Sequence, residues 1–258
     1  MSMRQTLYRP WSIVRRSFSS PMLWLALLLV ALVLLMPWLR PVFAWAFPGI
    51  EPPIYSRVSF LELLLSHAAL VGAASLVSTA VGVGLGVFVT RPAGRDFRTI
   101  VNALASIGQT FPPAAVLAIA VPIVGFGSLP TLLALMLYGL LPIIENAIAG
   151  LEGVPAPVRE VAEGMGLSPL QVLRHVELPL AAPIIVAGIR TSVIINIGTA
   201  TIGSTVGAVT LGTPIISGLV SDKLPHVVQG AIVVGLFAIL IDMAFEHLER
   251  HLRFAAVD

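Results

Sequence analysis

The chain has 258 residues, of which 57% are hydrophobic and only 11% charged, and its mean hydropathy is +0.97. Soluble domains carry about a quarter charged residues, so a water-soluble globular protein is excluded and the composition is that of an integral membrane protein. Cysteine is absent, which excludes disulfides, thiolate metal sites and a cysteine nucleophile.

Residues 1–20 are polar and basic, with Arg4, Arg9, Arg15 and Arg16. Residues 21–39 hold no charge and suffice to cross a hydrocarbon core of ~30 Å. Ala44-Trp45-Ala46 resembles a small-x-small cleavage site, but the apolar run exceeds the ~7–15 residues of a signal peptide. It reads as a retained first span. A Pro- and aromatic-rich loop follows over 40–60, with Trp45, Phe47, Pro48, Pro52, Pro53 and Tyr55 suited to an interface. The second span covers 61–90 and is rich in small residues, as close helix contact in lipid requires. Arg91, Arg95 and Arg98 end it.

Residues 99–144 are uncharged. That length suits two spans joined at Gly125-Phe126-Gly127-Ser128-Leu129-Pro130. Gln109 falls inside the first of the two, just before Phe111-Pro112-Pro113, where the helix must break or kink. Broken spans place binding backbone near the midplane, or the break is a packing kink.

The longest polar interruption after residue 99 is 158–183, VREVAEGMGLSPLQVLRHVELPLAAP. Two short helices are expected there. Pro157 opens the first, and Val158, Val161, Ala162 and Met165 form its apolar stripe. Ser168-Pro169-Leu170-Gln171 opens the second with a capping box, and Leu178-Pro179 is expected to stop it. Glu160, Ala162, Gly166 six residues after the Glu, and Leu178-Pro179 beyond resemble the EAA loop of binding-protein-dependent ABC importer permeases. The pattern departs only at Val161 and Val176, both small apolar exchanges. The resemblance implies a coupling segment that docks on a cytoplasmic ATPase, carried by Glu160, Ala162, Gly166, Ser168, Leu178 and Pro179.

The fifth span starts near Pro183 and the sixth runs over 226–245. Residues 205–221 carry three Gly, a Pro and several hydroxyls, which argues for a partly inserted loop rather than a lipid-facing helix. With six spans, eleven of the fifteen Arg and Lys are cytoplasmic, only Arg40, Arg57 and Lys223 lie outside, and Arg190 sits in the fifth span. Positive-inside bias then puts both termini and the loop 150–182 in the cytoplasm. A seventh span would expel Arg250 and Arg253. The parts are thus a basic segment 1–20, a first helix with its outer loop over 21–60, a transmembrane domain over 61–250, and a tail over 251–258.

The only lysine is Lys223, so the chain has no P-loop; if ATP drives it, another chain is expected to bind the ATP and its Mg. An intramembrane serine protease would want Gly-x-Ser-Gly and a histidine on another span; Ile215-Ile216-Ser217-Gly218 lacks the first Gly. His247 and His251 stand at i, i+4 around Glu249, which suits metal in principle, but HLERH among charges at a helix end reads as a solvated terminus. No metal or other cofactor is expected on this chain.

Ser192, Asn196, Thr199 and Gly203 recur on one face of the fifth span. Such a stripe either lines a passage or packs against a neighbouring helix; the passage is the expectation, with Gln109 beside it. Residues 109–154 and 188–208 are similar to permeases for osmoprotectants of the glycine betaine and choline type. That resemblance implies an all-α, six-span, type I importer permease in a bacterial inner membrane, not itself an enzyme. It also implies ATPase subunits, a second identical or homologous permease and a periplasmic or lipid-anchored binding protein, with no nucleic-acid partner. A permease for another solute class, of amino acid or sulfonate type, stays open.

Overall fold

The computed structural model describes residues 21–255, so the basic segment 1–20 and residues 256–258 of the tail lie outside the described residues. Those described contain helices and no strand. The first span is α1 (Pro21–Leu35), a 3-10 turn (Met36–Leu39) and α2 (Arg40–Ala46), followed by α3 (Phe60–Thr90). Next come α4 (Arg98–Thr110), α5 (Pro113–Val124), α6 (Ser128–Glu152) and α7 (Ala156–Gly164). The chain continues through α8 (Pro169–Val172), a π-turn (Leu173–Glu177) and α9 (Leu178–Ile202) to α10 (Gly212–Val220) and α11 (Leu224–Ala255). Five helical stretches are long and apolar enough to cross a membrane, and the bent pair α4–α5 makes the sixth span.

At the centre, α6 lies between α3 and α9. Small residues set that spacing, because lipid offers no hydrophobic drive and close contact must supply the attraction. A Cβ on Gly86 of α3 would stand 2.5 Å from Ala147 Cβ on α6, and one on Gly188 of α9 would stand 2.5 Å from Asn146 Cβ. Buried Ala147, Leu151, Ala181 and Ile185 complete the cytoplasmic half of this core. Toward the outside, Leu29, Val33 and Met36 of the first span pack with Tyr55, Leu63 and Val233, which joins that span to α3 and α11.

The break between α4 and α5 bends the chain by 96°. Phe111 and Pro112 are extended, with ψ of 137° and 139°, as residues preceding proline are forced to be. The Tyr138 hydroxyl donates to the freed Phe111 carbonyl, and Gln109 Nε2 donates to Tyr138 O at 2.9 Å. The kink expected from Pro112-Pro113 is therefore a full break, stapled to α6.

Two expectations need correction. Leu178-Pro179 does not stop the second loop helix, because the π-turn over 173–177 widens the backbone just ahead of it. That widening accommodates a proline with no N–H and a ring that would otherwise press on the preceding turn. The helix runs on from Pro169 to Val206 as one 38-residue stretch, so the fifth span does not begin afresh at Pro183. The segment 205–221 is a 3-10 turn and the nine-residue α10, too short to cross, so the six-span count stands.

Candidate functional site

The cytoplasmic loop is built on a buried ion cluster. Glu177, at the end of the π-turn, is 3% exposed. Arg91, just past α3, donates to its Oε2 at 2.5 Å, and Arg159 of α7 lies 3.0 Å from its Oε1. Arg159 also donates to Leu151 O at 2.6 Å, at the C-terminal end of α6. One carboxylate thus ties α3, α6, α7 and α9 together beneath the loop. Sequence reading passed over Glu177; its place between Val176 and Leu178, on the helix side that carries Leu173, was the available signal.

Upon this base the loop follows the expected plan in part. Ser168 and Gln171 form the capping box, with Ser168 N–H donating to Gln171 Oε1 at 2.8 Å. Gly166 turns the chain at φ +86°, a conformation that residues with a Cβ resist. A Cβ there would meet nothing within 4 Å, so backbone conformation alone calls for glycine. The stripe on α7 divides. Ala162 is buried, whereas Val158, Val161 and Met165 are exposed, the last at 77%, as is Leu170 of α8. Glu160 is exposed, while Leu178 packs against the buried Ala147–Ile185 cluster. The loop therefore presents an apolar face outward from a fixed base.

The polar stripe of α9 lies inside the helix bundle. Ser192 and Asn196 are both 0% exposed. A Cβ on Gly139 of α6 would fall 2.6 Å from Ser192 Oγ and 3.2 Å from Asn196 Nδ2, and one on Gly203 would fall 2.3 Å from Thr131 of α6. Asn196 Nδ2 donates to Ser75 Oγ of α3 at 3.3 Å. These residues pack in a seam among α3, α6 and α9, the second of the two arrangements the stripe allows. Thr199 is half-buried, and Gln109 is held at the α4–α5 break.

Arg190 of α9 forms a bidentate pair with Asp242 of α11, at 2.6 and 2.7 Å, with Glu249 at 3.6 Å. On the outer side, Gln229 of α11 accepts from Tyr55 N at 3.0 Å and donates to Pro53 O at 2.6 Å, which pins the loop 47–59. Ser217 and His226 line one cavity, yet His226 Nε2 donates to Pro52 O at 3.0 Å; the described residues give no Ser217–His226 hydrogen bond. His247 and His251 are exposed, and no group of three metal-ligating side chains occurs among the described residues.

The family model for the "binding-protein-dependent transport system inner membrane component" matches residues 82–254. The osmoprotectant import permease protein OsmY of Salmonella typhimurium is 38% identical over 214 residues, covering 83% of this chain and 90% of that one. The choline transport system permease protein OpuBB of Bacillus subtilis is 41% identical over 179 residues, covering 69% and 82% respectively. Among solved structures, the fold is similar to a chain of the MetNI methionine ABC transporter in an inward-facing conformation. The TM-score is 0.66 at 22% identity, over 74% of this chain and 95% of that one. The fold, the cytoplasmic loop and the matched span agree, and the chain belongs to the family of inner membrane components of binding-protein-dependent transport systems.

Proposed function

We propose that this multi-pass inner membrane permease serves an importer for a small osmoprotectant of the betaine or choline type, and that ATP is hydrolysed on a separate subunit seated against the 156–177 loop. The observation that carries the reading is the loop itself: Val158, Val161, Met165 and Leu170 exposed on a base fixed by Glu177. Apolar side chains held in water on a rigid element are the makings of an interface core. Glu160 is placed to make a polar contact at its edge. Buried Ala162 and half-buried Leu178 anchor the loop, Pro179 follows the π-turn with its ring exposed, and Ser168 caps the second helix. The names of the curated relatives support the solute class. A second permease, identical or homologous, and an external binding protein complete the assembly.

The test is Gly166→Asp in the reconstituted importer. The variant is expected to reach the membrane in normal amount, and solute-stimulated ATP hydrolysis and uptake should fall at least about tenfold, since φ +86° excludes an ordinary side chain at little cost. Wild-type uptake in this variant would refute the coupling role. Gly166→Ala, which meets the same backbone strain without a charge, should be impaired as well.

A further inference from the structure

On the outer face, two cations flank one cavity. Arg57 is exposed and comes from the loop 47–59, which Gln229 and His226 hold against α11. Lys223 comes from the turn between α10 and α11, closed by its N–H donating to Gly218 O at 2.8 Å. Neither forms an ion pair among the described residues, whereas the third outer cation, Arg40, pairs with Glu51. The cavity between them has a volume of about 260 Å³ and is also lined by Tyr55, Ser217, Ser221 and His226. His226 is 6% exposed and is held by its Nε2–H donating to Pro52 O at 3.0 Å, so it forms a fixed wall of the cavity.

A second cavity of about 330 Å³ shares Arg57, Ser217 and Ser221 with the first, and adds Ser204 and Thr213. Ser204 lies in the 3-10 turn that ends the long α9 helix. The hydroxyls therefore continue from Arg57 toward the outer end of the fifth span.

We propose that Arg57 and Lys223 form an outer receiving site for the carboxylate of a small zwitterionic solute, which then moves along the Ser204–Thr213–Ser217 hydroxyls. The assignment rests on the importer reading above. A planar guanidinium matches a carboxylate in two parallel hydrogen bonds, and the unpaired charges disfavour a solute with only a quaternary ammonium. The hydroxyl-lined second cavity favours a free solute over a tethered side chain of a docking protein, which would need the first cavity alone. Arg57 lies ahead of residues 82–254, the part the family model matches.

The native chain has no cysteine, so Ser221→Cys, exposed and lining both cavities, is a clean reporter in the assembled importer in proteoliposomes. An anionic sulfonate thiol reagent should modify it at least about fivefold faster than a trimethylammonium reagent of the same size, by local attraction. Adding Arg57→Gln and Lys223→Gln should abolish the preference, and Arg57→Lys should keep most of it. Glycine betaine should slow the sulfonate reaction, and choline at equal concentration should not. Equal rates for the two reagents, or equal protection by betaine and choline, would overturn the proposal. Protection by solute-free binding protein alone would assign the cations to a partner's carboxylate and overturn the solute assignment. Failure of the importer reading registers separately, as wild-type vesicles that take up neither compound while the reagent preference persists.

Discussion

Glu177 shows how much one side chain settles. A carboxylate at 3% exposure is tolerable only because Arg91 and Arg159 both reach it, and removing one partner of such a cluster costs about 3–5 kcal/mol. Glu177→Ala should therefore lower the detergent-solubilised melting temperature and expose the 156–177 loop to protease, while Arg98→Ala, whose pair with Glu152 is half-exposed, should do neither. Unchanged loop proteolysis in Glu177→Ala would show that the cluster does not hold the loop. The buried seam makes an opposite kind of claim. Asn196 holds one long bond to Ser75 and leaves its Oδ1 without a partner, so Asn196→Leu should cost little stability. Gly139→Val should prevent stable folding, because its first added carbon already meets Ser192 Oγ at 2.6 Å. Cysteines placed at 192 and 196 should resist polar thiol reagents; rapid reaction at both would reopen the passage reading.

At the level of elements, what could be read in the chain followed from local chemistry. Pro112-Pro113 forced the break between α4 and α5, and the Ser168/Gln171 box opened α8, because both are decided within a few residues. What could not be read depended on neighbours. A period of 3.6 tells which residues of α9 share a face, and is silent on whether that face meets water, lipid or a glycine of α6. Whether Ser192 and Asn196 pack or line a passage is therefore not legible in the period. Pro179 misled differently: the rule that proline ends a helix assumes a regular turn before it, and the π-turn at 173–177 relaxes that turn. Glu177 went unremarked because a single carboxylate declares nothing until its two arginines arrive from residues 91 and 159.

Across the whole molecule, six spans and the distribution of arginine set the orientation, and the cysteine-free chain makes it directly measurable. Cysteine introduced at Arg95 or Gln171 should be labelled only from the cytoplasmic side, and at Ser56 or Asp222 only from outside; labelling of Asp222 from within would reverse the outer half of the arrangement. The continuous helix from Pro169 to Val206 has a mechanical consequence. At 1.5 Å per residue it is a rod of roughly 55 Å, with its foot in the cytoplasmic loop and its head beside the Ser204 hydroxyl. The tight crossing at Ser192 and Asn196 sits between the two ends, and so acts as a fulcrum. Tilting the rod by about 5° moves the foot by about 3 Å and swings the head by about 1.5 Å in the opposite sense, on the geometry of a rod of this length. A push delivered at the loop thus reaches the outer mouth as leverage, without any intermediate element having to refold.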